Sequence, residues 1–201
     1  VRAKGWDAPA VSKLASDPVR LLEQLDNIWD PVPDAVRKQI VAAAQSNDAL
    51  IRQAAVEALG RLGKRDPVLL KALGDPSKMV ARTAAWAVRQ TYSRHEDTPS
   101  SDILAALQSQ DDRTRWGATR VFAQHFSALA KRPEVAAALL KLDEDPAVAV
   151  RMMAIKGSWQ LWFWTPDATV KSSIEDGLLA QMLKPQQPWI KSNLPDAIYN
   201  L

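Results

Sequence analysis

The sequence predicts an all-α protein, an α-solenoid in which about five to six helical hairpins are stacked into a superhelix. Four times an arginine is followed three residues later by alanine, and successive arginines are 30, 33 and 36 residues apart. Repeats of this length are typical of stacked helical hairpins. Apolar residues recur around each arginine with helical spacing, whereas alternating β-branched runs and Asn-Gly turns are absent. The four pairs are Arg52/Ala55, Arg82/Ala85, Arg115/Ala118 and Arg151/Ala154.

Each arginine-bearing helix is the second helix of its hairpin and follows a turn and a shorter first helix. The predicted first helices are 34–45, 67–73, 101–108 and 133–142, and the predicted second helices are 49–65, 77–94, 112–125 and 147–164. Two of the turns contain Asp75-Pro76 and Asp145-Pro146. We interpret these pairs as helix starts, because the carboxylate caps free N–H groups and proline fits the first helical turn.

We expect one repeat domain over residues 1–201. An incomplete first repeat covers 15–30, where Asp17-Pro18 begins a second helix, and the clearest repeats cover 34–164. Residues 166–201 form a C-terminal cap or truncated repeat: one helix runs from Pro166 to about Leu183, and 189–201 begin its partner. Since residue 1 is valine and no signal-peptide pattern is present, we expect a segment of a larger protein.

The composition excludes several kinds of site. The chain has no cysteine, which excludes disulfides, thiolate zinc sites, cysteine nucleophiles and covalent haem attachment. The two histidines, His95 and His125, lie 30 residues apart without a catalytic pattern around them. No apolar run of 18 residues exists to span a membrane. We therefore predict no catalytic residues, no metal and no cofactor.

Residues 48–63, which read DALIRQAAVEALGRLG, resemble a HEAT repeat, and they are most similar to the subtype found in bilin-lyase-like proteins. Residues 75–88 and 145–154 are weaker copies, and 111–122 is weaker still, so the resemblance covers roughly 15–165. HEAT repeats are a scaffold shared by many functions, and the resemblance therefore implies a fold more than an activity.

Positive charge is concentrated on the predicted second helices, which hold 13 of the 26 Lys and Arg residues and only two acidic residues, Glu57 and Asp112. The HEAT resemblance implies that these helices line the concave face, which would then be basic. It also implies that the repeated arginines and turn aspartates form an internal ladder of ion pairs. The predicted ladder residues are Arg52, Arg82, Arg115 and Arg151. The cations left for ligand contact are Lys78, Arg89, Arg94, Arg113, Arg120 and Lys156.

Tryptophan is the unusual aromatic residue, with eight against two tyrosines. Trp159 and Trp162 lie beside Lys156 at helical spacing, where they would stack on a flat ligand or anchor a partner. The alternative is that they fill the junction with the last helices, next to the small residues Gly157 and Ser158. Trp86 aligns with Val56 under the arginine register, which predicts partial burial.

The leading hypothesis is a non-catalytic scaffold that binds a partner protein or a neighbouring domain of its parent chain. The last tryptophan-rich stretch also resembles HEAT segments of large environmental-bacterial proteins with a cytochrome c-type haem domain, which would imply an extracytoplasmic setting. The alternatives are a nucleic-acid-binding or DNA-glycosylase-like HEAT protein with a basic groove, and a bilin-lyase-like protein that handles a ligand. An anionic ligand or nucleic acid is the alternative partner.

Overall fold

The computed structural model describes residues 13–29, 31–93, 101–123 and 132–184. These segments contain α-helices and one short 3-10 helix, Leu142–Glu144, and no strand, so the all-α prediction is confirmed. The helices are α1 (Pro18–Asp26), α2 (Asp34–Ala43), α3 (Ala49–Leu62), α4 (Pro67–Ala72), α5 (Lys78–Ser93), α6 (Ser101–Leu107), α7 (Asp112–Phe122), α8 (Pro133–Lys141), α9 (Val148–Trp164) and α10 (Ala168–Leu183).

The helices form two layers. The second helices α1, α3, α5, α7 and α9 pack in chain order against one another. The first helices α2, α4, α6 and α8 each pack against the second helix that follows them, and α10 packs on both α8 and α9. This is the stacked-hairpin arrangement of an α-solenoid, and that prediction is confirmed as well.

The predicted helix bounds agree with the structure to within a few residues. Helices α3 and α7 end earlier than predicted, so Lys64 and Arg65 follow the end of α3 at Leu62. Gly63 adopts the left-handed conformation (φ 70°), which favours glycine and stops that helix. The helix expected over 189–201 lies outside the described residues, as do residues 94 and 124–125 at the ends of the predicted second helices 77–94 and 112–125. His95 and His125 lie outside them too.

The interpretation of Asp75-Pro76 and Asp145-Pro146 as helix starts is wrong. Asp17 and Asp66 do cap α1 and α4, with proline in the first turn. Helix α5, in contrast, begins at Lys78, and Asp75 Oδ1 accepts a hydrogen bond from the Ser77 N–H at 2.8 Å. Asp145 Oδ1 likewise accepts from the Ala147 N–H at 2.8 Å. Both aspartates fold the turn ahead of the helix, and their oxygens can still accept hydrogen bonds from a neighbouring helix.

Small residues bring the second helices close together. A Cβ built on Gly60 of α3 would lie 2.6 Å from Trp86 Cζ3 and 2.8 Å from Ala87 Cβ on α5. Gly117 of α7 would meet the Leu73 carbonyl oxygen at 2.2 Å. Core side chains such as Leu59 and Leu73 are fully buried on either side of these contacts. Glycine is therefore required where backbone and ring approach most closely.

The last repeat carries two polar groups in its core. Asp143 and Ser158 are 2% and 0% exposed, and Ser158 Oγ lies 3.4 Å from both carboxylate oxygens of Asp143. Burial raises the pKa of the Asp143 carboxyl well above its ordinary value. Ser158 lies on α9 seven residues after Arg151, and the equivalent residue of α3 is the buried Leu59. A polar pair has replaced apolar packing there.

Candidate ligand-binding surface at the junction of α5 and α7

Backbone hydrogen bonds give the register of the second helices. The N–H groups of Arg52, Ala81, Arg115 and Arg151 each donate to the carbonyl four residues earlier, at the residue where the helix begins. Ala81, and not Arg82, is therefore the equivalent of the other three arginines. The assignment of Arg82 to the ladder is wrong, because the arginine spacing aligned α5 one residue out of register.

At two junctions the ladder contacts are present. Arg52 of α3 binds Asp75 of the next turn through both oxygens, with Nε and Nη2 at 2.8 and 2.9 Å. Arg115 of α7 binds Asp145 in the same way, at 2.6 and 3.1 Å. The Nη1 of each arginine also donates to two carbonyls of its own turn. The hydrogen bonds to Asp75 and Asp145 raise the pKa of Arg52 and Arg115 respectively. These two arginines belong to the scaffold.

Arg151 makes half of these contacts. Its Nη1 donates to the carbonyls of Asp145 and Pro146 at 2.6 and 3.1 Å. The following turn has Thr165 at the position of Asp75, and Thr165 Oγ1 instead accepts the Asp167 N–H at 3.3 Å. The ladder thus ends at α9 because the last turn has no carboxylate at that position.

The middle junction, between α5 and α7, lacks the ladder. Ala81 stands at the arginine position, and the turn position of Asp75 is taken by Ser109, whose Oγ accepts the Asp111 N–H at 3.2 Å. Both members of the ion pair have therefore been replaced together. The next residue, Arg82, is exposed.

Arg82 lies on the open surface of the second helices, at an open depression of about 270 Å³. Arg120 of α7 lines the depression from the other side and lies over the Trp116 ring, with its Cζ 5.6 Å from the ring centroid. Trp86 forms a third wall. We call this surface the α5–α7 groove; its lining residues are Glu57, Arg82, Thr83, Trp86 and Arg120.

A third arginine lies behind the groove. Arg89 is only 8% exposed, and it occupies the position that Gly60 holds on α3 and Ala123 holds after α7. Burial and then the charge of Arg120 lower the pKa of Arg89. Burial and then the charge of Arg82 lower the pKa of Arg120. The Arg120 guanidinium therefore lies within electrostatic reach of both Arg82 and Arg89.

These arginines have few compensating contacts. Among the described residues, Arg82 and Arg89 form no ion pair or side-chain hydrogen bond, and Arg120 reaches only Met153 Sδ, at 3.8 Å. The nearby Glu57 is engaged by Arg61, whose Nη1 donates to it at 2.7 Å. Arg61 is itself held by the carbonyls of Leu25 and Ile28. The α5–α7 groove thus carries positive charge that no described residue neutralises.

Comparison with known proteins identifies the repeat family. The family model described as HEAT repeats matches residues 19–89 and, in an overlapping match, 38–105. Residues 19–105 of this chain therefore consist of HEAT repeats. No curated protein matches its sequence. The match includes α3 and α5, so it covers one side of the α5–α7 groove.

Two solved structures share the fold of this HEAT-repeat chain. One is a designed armadillo repeat protein in complex with peptide (KR)4, which is 14% identical, with a TM-score of 0.52 over 92% of this chain and 94% of that one. The other is the archaeal HEAT-like repeats protein from Thermococcus onnurineus NA1, which is 17% identical, with a TM-score of 0.50 over 88% of this chain and 74% of that one. At such identities the likeness concerns the fold alone.

The remaining predicted cations are spread over the HEAT surface. Lys156 is exposed on α9 at the register position of Arg120, so it extends the same line of side chains. Lys78 is exposed at the first residue of α5, near the turns. Arg113 is exposed at the start of α7, with its Nε 3.4 Å from Asp111 Oδ1. Arg94 lies outside the described residues. Arg89 and Arg120 are the predicted cations that the structure brings together.

The C-terminal tryptophans pack at the junction with the last helix. Trp162 Nε1 donates to Glu175 Oε1 of α10 at 2.8 Å, and Lys171 Nζ lies 5.1 Å from the centroid of its ring. Trp159 packs against the core, and its buried Nε1 has no hydrogen-bond partner among the described residues. The contacts of Trp162 with α10 and of Trp159 with the core favour a packing role for these tryptophans over stacking on a ligand.

Reasoning from the sequence missed the residues that define the groove. Arg82 was assigned to the ladder, and Trp86 was aligned with Val56, although its register equivalents are Glu57 and Arg120. The signal was present in the turns, because Ser46, Asp75, Ser109, Asp145 and Thr165 each accept the N–H two residues later. Aligning these turn residues places Ala81 with Arg52 and moves Arg82 to the surface.

Over the described segments, no group of three or more His, Cys, Asp or Glu side chains is placed to hold a metal ion. The same segments contain no helix with the length and apolar character to cross a bilayer.

Proposed function

We propose that this HEAT-repeat chain is a non-catalytic scaffold for protein–protein interaction, which holds a segment of a partner protein or of a neighbouring domain in the α5–α7 groove. The observation that carries the proposal is the set of uncompensated arginines beside Trp86 and Trp116. Arginine and tryptophan are the residue types that most often dominate binding energy at protein interfaces. A surface of this kind costs folding free energy when nothing is bound, because like charges are gathered there.

The related fold supports a peptide-like partner. The designed armadillo repeat protein is in complex with a peptide, (KR)4. Stacked helical hairpins present an extended surface of many side chains at regular spacing, and such a surface suits an extended segment. The volume of the groove, about 270 Å³, suits one or two side chains of that segment and is small for a cofactor.

The carboxylates of the groove favour a non-catalytic role. Acid–base catalysis needs a positioned carboxylate or histidine with access to substrate. Glu57 is held by Arg61 at 2.7 Å, and Asp112 lies at the first residue of α7, outside the groove lining. Neither is paired with a second proton carrier in the described residues. This arrangement supports a binding surface over a DNA-glycosylase-like site.

Selection from a random peptide library tests the proposal. The chain is immobilised, and enriched peptides are measured by fluorescence anisotropy against wild type and Thr83→Tyr. Thr83 lines the groove, and its hydroxyl donates to the Met79 carbonyl at 3.0 Å, so tyrosine there fills the space without removing a core side chain. We expect the affinity to fall at least about tenfold.

Lys71→Tyr is the matched control, because Lys71 is exposed on the first helix α4, in the other layer. Thermal melting confirms that both variants fold. The proposal is wrong if no peptide is enriched, or if the enriched peptides bind Thr83→Tyr as well as wild type.

A further inference from the structure

The middle junction has exchanged the places of its arginine and its small residue. At the outer end of α3 and α7, near the turns, Arg52 and Arg115 are paired, and eight residues later those helices carry Gly60 and Ala123. On α5 the outer residue is Ala81 and the inner one is Arg89. The ion pair has been lost at one end, and an arginine has been added at the other, behind the groove.

This exchange is unfavourable for the fold by itself. A guanidinium that is 8% exposed and has no carboxylate partner among the described residues loses hydration without compensation there. Arg120 lies within reach of its charge, and Arg82 lies within reach of Arg120. Residues that are unfavourable for the fold itself are expected mainly at functional sites. Here the group that would offset the unfavourable arginines is one with negative charge.

The geometry points to the chemistry of the partner: we propose that the α5–α7 groove binds an acidic peptide segment, whose Asp or Glu carboxylates engage Arg82 and Arg120. This inference rests on the proposed function, and it names the partner class. Arg89 contributes from behind the surface through its charge, which burial leaves weakly screened. Trp86 provides an apolar wall for the side chains between the acidic residues, and the Trp116 ring lies under Arg120.

The groove has a direction. Glu57 lies at its α3 edge, with its side chain 42% exposed, and Lys156 lies exposed on α9 beyond Arg120. A bound segment would therefore place its acidic residues towards α7 and α9, and a neutral or basic residue beside Glu57. This polarity also favours a peptide over nucleic acid, since a continuous phosphate backbone would pass Glu57 with its own negative charge.

Charge-defined probes test the inference directly. Labelled (Asp-Glu)4 and (Lys-Arg)4 octapeptides, a single-stranded oligonucleotide and a duplex oligonucleotide are titrated into the wild-type chain by anisotropy. We expect (Asp-Glu)4 to bind at least about tenfold more tightly than the other three probes, and its affinity to fall with rising salt. Arg120→Gln should reduce (Asp-Glu)4 affinity about tenfold, and Arg82→Glu with Arg120→Glu should reverse the preference to (Lys-Arg)4.

The control has the same change in net charge on the other layer. Lys71→Glu with Lys141→Glu alters two exposed lysines of α4 and α8, and should leave the preference for (Asp-Glu)4 in place. Equal binding of the two octapeptides, loss of the preference in this control, or tighter binding of an oligonucleotide would overturn the inference. If neutral library peptides still bind and are blocked by Thr83→Tyr, the acidic partner is wrong while the scaffold function stands.

Discussion

The α3–α5 junction and the α5–α7 junction use arginine in opposite ways. At the first, Arg52 is bound at 2.8 and 2.9 Å by Asp75 and also by two carbonyls of its own turn. At the second, Arg82 lies one residue further along its helix, exposed and without such a partner in the described residues. One residue is about 100° of helix rotation, and that rotation separates a structural arginine from a surface arginine.

The two junctions also differ at their inner ends. Gly60 allows the Trp86 ring and Ala87 to approach α3 closely, whereas the equivalent residue facing α7 is Arg89. Helix α5 accordingly packs more extensively on α3 than on α7. The comparison indicates that α5 is held more firmly on its α3 side and that its α7 side is the more open of the two.

The largest expected effect comes from breaking a ladder pair. Arg115→Ala leaves the Asp145 carboxylate, whose side chain is 3% exposed, without its cation. We expect a loss of about 3 kcal/mol of unfolding free energy, measured by urea denaturation. Arg82→Ala serves as the comparison, and should change stability by less than about 0.5 kcal/mol. If both variants lose the same unfolding free energy, the proposed difference between ladder and surface arginines is wrong.

Tight packing at the inner end of the α3–α5 junction gives the next effect. Gly60→Ala places a Cβ 2.9 Å from the Ala87 Cα as well as against the Trp86 ring, so the helices must separate. We expect a loss of about 2 kcal/mol, and a weaker affinity for groove peptides because Trp86 lines the groove. Gly177→Ala is the control, since its Cβ would meet only Leu140 Cδ2 at 3.3 Å. If Gly60→Ala leaves the unfolding free energy unchanged, the α3–α5 junction is loosely packed and the prediction is wrong.

The sequence was sufficient for the fold because helical periodicity and turn residues are local signals. The ten described helices follow from them, whereas the ladder contacts of Arg52 and Arg115 were expected only from the resemblance to HEAT repeats. The groove could not be found in the same way. Finding the groove requires aligning α5 with the other second helices to within one residue. Aligning the helices on their arginines puts Arg82 in the ladder position, which Ala81 actually occupies. The burial of Arg89 could not be predicted from the sequence either, because it depends on tertiary packing and not on a local signal.

A buried carboxyl inside the last repeat, Asp143 of the 3-10 turn between α8 and α9, predicts that stability depends on pH. Because burial raises the folded-state pKa of Asp143, the folded chain keeps that proton to higher pH than the unfolded chain. The stability is therefore fully present below the unfolded pKa, near 3.9, and falls as pH rises towards the folded pKa. Asp143→Asn should be more stable than wild type at pH 7, by about 1.4 kcal/mol for each unit of elevation.

The difference should shrink as the pH is lowered to about 4, where the wild-type carboxyl is protonated in both states. Thermal melts of both proteins across this range measure it. Asp102→Asn, an exposed site on α6, controls for the loss of one charge and should show no such trend. A constant difference between Asp143→Asn and wild type at all pH values would contradict the prediction.

The smallest expected effect is the most direct test of register. Ala81→Arg with Ser109→Asp places a ladder pair at the junction that lacks one, at the positions of Arg52 and Asp75. Each single change adds a charge without its partner and should destabilise, since Ala81 is 2% exposed. The double variant should be more stable than the sum of the singles by about 1 kcal/mol, measured as the coupling in a double-mutant cycle of urea denaturation.

The double variant Ala81→Arg with Ser109→Asp also tests whether the ladder positions and the ligand-binding residues act independently. Arg82, Arg89 and Arg120 remain in place, so affinity for (Asp-Glu)4 should change by less than about threefold. Arg82→Ala with Ser109→Asp is the matched cycle, and it should show no coupling, because Arg82 faces away from the turn. Coupling at Arg82 rather than at Ala81 would mean that the arginine spacing, and not the turn hydrogen bonds, gives the true register of α5.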